Sequence, residues 1–150
     1  MKYASLIIIL LFFSPIAVCV DVITCSEEQA IAAEGQVSDI HDWERLHIVY
    51  KEFYACDDGA ISEGFSDSVA NLLTNHWGDI GKLSLILNSD PDYRRFIVKH
   101  VDMLITEQQF LLIEKNVNSC RNEMKAFCEE LIVQLDRIRR ESEKIKSEYK

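Results

Sequence analysis

Apolar side chains recur at intervals of three and four residues along almost all of this sequence, and few residues interrupt the pattern. Ile61, Phe65 and Val69, for example, have spacings that place them on one face of an α-helix. Among 150 residues there are only two prolines and five glycines, the residues that most often end helices. The pattern therefore predicts an all-α fold, an irregular antiparallel helical bundle or solenoid-like stack of about six helices with a long C-terminal helix.

Capping residues and a proline indicate where several of these helices begin. Ser38 precedes the first apolar stripe and is a predicted N-cap. Ser89 or Asp90, followed by Pro91, marks another start, because proline is well placed in the first turn of a helix. Thr106 is the predicted N-cap of the next helix. The six stripes cover residues 40–53, 61–76, 80–87, 93–104, 110–117 and 124–149.

The last stripe differs from the others in its length and regularity. Its members alternate spacings of four and three residues, the heptad pattern of helices that pack along a seam. Residues 136–150 are nearly all polar, so we expect a charged helix end that projects from the body. Two interpretations are open: a long amphipathic helix lying across the body, or a seam through which the chain forms a homodimer. The stripe consists of Met124, Cys128, Leu131, Leu135, Ile138, Ser142, Ile145 and Tyr149.

Residues 1–19 have the pattern of a secretory signal peptide. Lys2 precedes an apolar run over residues 4–13, and the small residues Ala17 and Cys19 suit cleavage after Cys19. The alternatives are an uncleaved anchor and a lipidated Cys19. We therefore expect one helical domain, residues 20–150, in the periplasm or secreted, with no stable membrane insertion after cleavage.

Removal of the leader would leave four cysteines, which in an exported chain predicts two disulfides. If Cys120 and Cys128 belong to one helix, the eight residues between them span about 12 Å, too far for a bond. The remaining pairings are Cys25–Cys120 with Cys56–Cys128, Cys25–Cys128 with Cys56–Cys120, or Cys25–Cys56 alone. We prefer Cys56–Cys120, which closes a long loop and would contribute about 4 kcal/mol in the chain-entropy estimate.

Charge is distributed unevenly along the chain. Residues 21–114 contain 18 acids and 6 bases, whereas residues 136–150 contain 4 acids and 6 bases. Nucleic acids and anionic membranes attract surfaces rich in Lys and Arg, so a body this acidic argues against them as partners. The body suits a protein partner with a basic surface, such as a secreted effector, although net charge also serves solubility alone.

The start of the second predicted helix is unusually acidic. Asp57, Asp58, Glu63 and Asp67 are the predicted contacts with a protein partner. The alternatives are that Asp57 or Asp58 caps the helix that begins just after them, and that the carboxylates bind a divalent cation. Gly64 inside this helix costs about 1 kcal/mol relative to alanine, which indicates a close helix contact at its position.

Histidines near acids raise the alternative of a small metal-dependent hydrolase. His41-Asp42 matches a dipeptide of metal-dependent phosphohydrolases, but further ligands would have to come from other helices. A histidine on an apolar stripe is more often a hydrogen-bonded core residue, and the acids after Cys56 oppose a thiolate nucleophile there. We therefore expect no catalytic residue, no metal and no cofactor. The residues considered as ligands are His41, Asp42, His76, Asp79, His100 and Asp102.

Three stretches of the sequence resemble a group of small exported bacterial helical proteins, which supplies no activity to carry over. Those stretches are Cys56 to Leu73, Asn75-His76-Trp77, and Asp90-Pro91-Asp92-Tyr93 through His100-Val101-Asp102, within a resemblance that spans Trp43 to Cys120. In size, leader, helical content and acidity, the chain is also similar to the periplasmic immunity proteins that neutralise cell-wall amidases delivered by type VI secretion. That likeness implies an exported inhibitor that sterically blocks a secreted effector enzyme, and it transfers no site residue.

Overall fold

The computed structural model describes residues 24–149, so the predicted leader lies outside the described residues. Seven α-helices form within this range, and no β-strand is present there. The all-α prediction is confirmed, with one helix more than expected. The helices are α1 (Glu27–Val37), α2 (Trp43–Phe53), α3 (Gly59–Asn75), α4 (Ile80–Ser89), α5 (Pro91–Lys99), α6 (Glu107–Val117) and α7 (Lys125–Glu148).

The helices surround one apolar core, and their contacts form a closed ring. Starting at α1, the successive neighbours are α2, α4, α5, α7, α6 and α3, and α3 returns to α1. α2 also contacts α3, so the first three helices pack directly on one another. Trp43, Leu46, Phe65, Leu72 and Tyr93 are among the largest side chains of this core, and all are fully buried. A single continuous core of this kind is usual for one helical domain.

α1 is the helix that the apolar pattern did not predict. Only Ala33 and Val37 are buried along its length, so it presents a narrow apolar stripe. A capping box fixes its start: Ser26 Oγ accepts a hydrogen bond from the Gln29 N–H, and the Gln29 side chain accepts one from the Ser26 N–H. Ser38 is the C-cap of α1, which corrects its predicted role as the N-cap of the following helix.

The starts of α2, α5 and α6 follow the rules for capping residues, whereas α4 and α7 begin after a 3₁₀ turn without a side-chain cap. α2 is capped by Asp42, whose carboxylate accepts a hydrogen bond from the Arg45 N–H at 2.7 Å. α5 has Pro91 in its first turn, as predicted, and of the two candidate caps it is Asp90 that fills the position. Thr106 caps α6 through a second capping box, which confirms the prediction for this residue.

Two disulfides cross-link the fold, and their pairing differs from the preferred prediction. Cys25 is bonded to Cys56 and Cys120 to Cys128, with Cα–Cα distances of 4.8 Å and 6.4 Å. The predicted Cys56–Cys120 bond is therefore wrong. The spacing estimate failed because it placed Cys120 and Cys128 in one helix, whereas α7 begins only at Lys125, after a 3₁₀ turn. Disulfides of this kind are typical of proteins in an oxidising compartment.

Gly64 lies where α1 and α3 approach each other closely. A Cβ atom at this position would lie 2.6 Å from Val37 Cγ2, which is nearer than nonbonded carbon atoms tolerate. One turn further along α3, Ser68 Oγ donates a hydrogen bond of 3.0 Å to the Val37 carbonyl oxygen. The predicted close helix contact at Gly64 is therefore confirmed, and the neighbouring element is the end of α1.

α7 is a long amphipathic helix that packs on the body along its first half. Leu131, Leu135 and Ile138 are buried, whereas Ile145 and Tyr149 on the same stripe are 47% and 87% exposed. Burial thus continues past residue 136, where the projecting end was predicted to begin, because Ile138 still packs on the core. None of the helices in the described range is long and apolar enough to cross a membrane.

Candidate functional site

A network of polar side chains, buried at its centre, joins α3 to the end of α5. Ser66 Oγ lies 2.9 Å from His100 Nδ1 and donates a hydrogen bond of 2.7 Å to Asp102 Oδ2. On the other side of the ring, His100 Nε2 lies 3.1 Å from Asp57 Oδ2, which also binds Lys99 Nζ at 2.6 Å. Ser66 and His100 are each only 1% exposed. We call Asp57, Ser66, Lys99, His100 and Asp102 the His100 network.

The contacts of the His100 network follow from the chemistry of its groups. A carboxylate can only accept, so Asp102 Oδ2 accepts the Ser66 hydroxyl and Asp57 Oδ2 accepts from Lys99 Nζ. His100 Nδ1 faces the Ser66 hydroxyl, and His100 Nε2 faces the Asp57 carboxylate. Both nitrogens of the buried imidazole therefore have a polar partner.

Asp57 is held as a carboxylate inside this network. Burial by itself raises the pKa of the Asp57 carboxyl, but hydrogen bonds from His100 and Lys99 outweigh burial and hold that pKa well below its usual range. The Asp57 side chain is only 10% exposed. Its carboxylate is therefore engaged within the molecule, which corrects the expectation that Asp57 faces a partner.

A serine, a histidine and an aspartate in contact also raise the question of nucleophilic catalysis. In a catalytic triad the serine proton passes to the histidine, which needs an unprotonated ring nitrogen facing the hydroxyl. Here the Ser66 hydroxyl donates to Asp102, and the Ser66 side chain lies in the interior. The arrangement suits a structural role in which one imidazole holds several segments of the chain together.

Asp102 connects the His100 network to the loop between α5 and α6. One of its carboxylate oxygens accepts the Ser66 hydroxyl, and the other accepts the Leu104 N–H at 2.8 Å. α5 ends at Lys99, before this turn, although the apolar stripe continues beyond it. The loop forms one end of a groove of about 440 Å³ between α6 and α7, where Met103 lines the wall.

Nearly all of the net charge lies on the first three helices. Residues 24–75 contain 11 acids and 2 bases, a net charge of −9, whereas residues 76–149 contain 13 acids and 12 bases, a net charge of −1. Because α1, α2 and α3 pack on one another, we call residues 24–75 the acidic layer. Three of the predicted contact residues, Asp58, Glu63 and Asp67, are exposed on it.

These three exposed acids differ in what they do within the fold. Asp58 caps α3 by accepting a hydrogen bond from the Gly59 N–H at 2.8 Å, so the predicted capping role falls to Asp58. Glu63 and Asp67 lie one turn apart on α3 and belong to none of the ion pairs formed within residues 24–149. Their carboxylates are therefore open to a partner.

A groove of about 330 Å³ opens on the acidic layer beside the contact between α1 and α3. Val37 and Ile40 line it from the end of α1 and the following loop, and both are buried. Gly64 and Asp67 line it from α3, and the exposed His41 lies at its edge. We call this feature the α1/α3 groove.

The residues considered as metal ligands are spread over the molecule. Within residues 24–149, no group of three or more His, Cys, Asp or Glu side chains could hold a metal ion. The ligand set required by the hydrolase alternative is therefore not formed by these residues. They are His41 in the loop before α2, Asp42 at the cap of α2, His76 at the C-cap of α3, Asp79 before α4, and His100 and Asp102 in the His100 network.

No family model, curated protein or solved structure matches this chain. Its own geometry therefore has to carry the functional conclusion. The sequence did not single out Ser66 or Lys99, because their partners are far away along the chain. The available signal was His100 on an apolar stripe, since a buried histidine needs polar partners.

Proposed function

We propose that this chain is an exported binding protein that acts in the periplasm by sterically blocking a secreted effector enzyme, as an immunity or inhibitor protein does. The observation that carries the proposal is the net charge of −9 on residues 24–75, against −1 on residues 76–149. The effector would present a basic surface to the acidic layer. The proposal assigns neither a catalytic step nor a cofactor to the chain.

Opposite charges on the two proteins would accelerate their encounter. Complementary potentials can raise association rates from about 10⁵–10⁶ M⁻¹s⁻¹ to about 10⁸ M⁻¹s⁻¹ or more at low salt, and salt screens the effect. Glu63 and Asp67 support this proposal because they are exposed and unpaired in the described part of the chain. The same charges repel nucleic acid and anionic lipid, which favours a protein partner.

The cross-links support binding by a surface that is fixed in advance. The Cys25–Cys56 disulfide ties the segment before α1 to the segment after α2, so it joins two helices of the acidic layer. A surface that is ordered before binding loses little conformational entropy when the complex forms. Disulfides persist in the periplasm and are rare in the bacterial cytoplasm, which favours the exported location.

The proposal is tested by neutralising the exposed acids in the exported, disulfide-bonded chain. The variant combines Asp58→Asn, Glu63→Gln and Asp67→Asn, and asparagine at position 58 retains a good helix cap. The partner is the secreted enzyme that we expect to be encoded beside this chain. We expect association at low salt to slow about tenfold, with little change in dissociation and little difference at high salt.

Two further measurements bear on the same proposal. Wild-type chain in excess should abolish the activity of that enzyme, and cell fractionation should recover the chain in the periplasm with its thiols oxidised. An unchanged association rate in the triple variant would contradict the role of the acidic layer. Free thiols throughout, together with a retained apolar leader, would contradict the exported location.

A homodimer formed through α7 is a second candidate, supported by the exposed continuation of its apolar stripe. Ile145 and Tyr149 extend the stripe whose earlier members, up to Ile138, are buried. In a parallel pair of these helices, Glu141 of one copy would lie near Lys146 of the other. The projecting part covers only about two heptads, fewer than a stable coiled coil usually needs. Light scattering on the full chain and on a chain ending at Arg140 tests this candidate. The candidate requires that the full chain is a dimer and that the shortened chain is a monomer.

A further inference from the structure

The α1/α3 groove combines an apolar floor with one carboxylate and several neutral polar side chains. Val37 and Ile40 supply the apolar atoms, and Asp67 lines the groove from α3. Glu63 lies one turn before Asp67 on the same helix. Gly64, between these two acids, has no side chain that would separate α3 from α1. At about 330 Å³ the groove is at the lower end of the size range of ligand pockets.

The end of α1 is a second source of negative potential at this groove. A helix C-terminus carries about half a negative elementary charge, and a Lys or Arg side chain in the last turn often compensates it. α1 ends at Val37 and has no basic residue of its own in its last turn, where Arg45 of α2 donates a hydrogen bond of 2.9 Å to the Gln36 side chain. Its final carbonyl accepts only a neutral donor, the Ser68 hydroxyl. This potential adds to that of the Asp67 carboxylate, although Arg45 offsets part of it.

We propose that the α1/α3 groove binds an arginine side chain presented by the basic partner. The proposal rests on the proposed function and names the contact through which the acidic layer recognises that partner. The aliphatic part of the arginine lies on Val37 and Ile40, as long cationic side chains commonly lie on apolar surface. The guanidinium donates two parallel hydrogen bonds to the Asp67 carboxylate, with Glu63 adding to the negative potential.

Arginine fits this groove better than other cations do. A lysine can cover the same apolar floor, but its ammonium group cannot make the bidentate contact with a carboxylate. A divalent metal ion gains nothing from Val37 and Ile40, and it needs several oxygen ligands arranged around it. The combination of an apolar floor with one carboxylate wall therefore selects a cation that has a long aliphatic stem.

The proposal is tested with a short arginine-rich peptide, blocked at both ends, titrated at low salt into the exported, disulfide-bonded chain. Amide NMR shifts locate the binding site. The same peptide with citrulline in place of arginine keeps the shape and removes the charge. We expect shifts at Val37, Ile40, Gly64 and Asp67 with the arginine peptide and none with the citrulline peptide. A lysine version should bind about threefold more weakly.

Asp67→Asn is the test variant, and Glu52→Gln is its matched control. Each removes one exposed negative charge from the acidic layer, but Glu52 lies on α2 and does not line the groove. We expect Asp67→Asn to weaken binding of the arginine peptide about fivefold, as for a well-formed but partly solvated ion pair. Glu52→Gln should weaken it less than about twofold, through the change in net charge alone.

The outcomes separate the groove from the proposed function. Equal weakening by the two variants, or shifts spread over the whole acidic layer, would overturn the proposal because the peptide would then respond only to net charge. Shifts that persist with the citrulline peptide would overturn the cationic occupant. If the chain blocks the secreted enzyme but the arginine peptide does not bind in the groove, this proposal is overturned and the proposed function stands. If the peptide binds in the groove but the enzyme is not blocked, the proposed function is overturned and the groove remains an arginine site.

Discussion

His100 Nδ1 lies 2.9 Å from Ser66 Oγ, so a buried ring at the end of α5 is held by a hydroxyl on α3. The two residues are 34 positions apart in the sequence, and the contact therefore depends on the whole fold. A buried polar group that loses its partner costs more free energy than an exposed one, because water cannot replace the lost bond. The His100 network should therefore contribute measurably to the stability of the domain.

Ser66→Ala should lower the free energy of unfolding by about 1–3 kcal/mol, because it leaves His100 Nδ1 and one Asp102 oxygen without their partner. Urea unfolding near pH 7 measures this change as a lower midpoint with an unchanged slope. Ser119→Ala is the control, since the exposed Ser119 hydroxyl only donates to the nearby Asn116 carbonyl. A control effect as large as that of Ser66→Ala would contradict the role of the network.

Asp57→Asn should destabilise the fold near neutral pH and reduce its sensitivity to acid. The pKa of Asp57 is lower in the folded chain than its unfolded value of about 3.9, so the carboxylate stabilises the fold above that value. The contribution is lost as the pH falls from about 4 toward the folded pKa. Urea midpoints measured from pH 7 to pH 3 should therefore converge for variant and wild type, and a constant difference across this range would refute the assignment.

Gly64→Ala should destabilise the fold by about 1–3 kcal/mol, because the added Cβ would overlap Val37 Cγ2 and push α1 away from α3. Gly35→Ala is the matched control within a helix, since a Cβ at position 35 meets no atom within 4 Å. The control should gain up to about 1 kcal/mol from improved helix propensity. Thermal unfolding of the two variants should thus shift in opposite directions, and parallel shifts would show that the α1–α3 contact is not the cause.

Removing the Cys25–Cys56 disulfide should cost more stability than removing Cys120–Cys128. The two bonds close loops of 31 and 8 residues, for which the chain-entropy estimate gives about 3.7 and 2.5 kcal/mol. Each cysteine pair is replaced by alanines in a separate variant, and the thermal unfolding of each variant is compared with that of the wild type. Peptide mapping of the unreduced wild-type chain gives the pairing directly, and a Cys56–Cys120 peptide would refute the observed connectivity.

Sequence patterns were sufficient for six of the seven helices within residues 24–149 and for the caps of α5 and α6. Thr106 and the Asp90-Pro91 pair lie where local rules for helix starts place them, because a cap depends on residues within one turn. Gly64 could be assigned to a close helix contact because glycine destabilises a helix interior, and close packing is a common compensation. The sequence pattern did not predict α1, because only Ala33 and Val37 are buried and so narrow an apolar stripe gives no clear helical periodicity.

The features that sequence patterns missed depend on contacts across the chain. The preferred disulfide was wrong because the distance from Cys120 to Cys128 depends on the residue at which α7 begins. Helix boundaries are the least certain part of a sequence-based prediction. Ser66 carries no local signal for its contact with His100. Asp57 was grouped with exposed acids because sequence proximity cannot distinguish a carboxylate that turns inward from one that faces solvent.

Cys56 and Asp57 are consecutive residues, so the point where oxidation ties the chain to Cys25 is also where a negative charge enters the interior. A newly made chain with reduced thiols would have to bring Asp57 to His100 by noncovalent contacts alone. Oxidation would then hold the preceding residue in place and narrow the search for that contact. Burial of the Asp57 carboxylate and formation of the Cys25–Cys56 disulfide should therefore be coupled events, with each favouring the other.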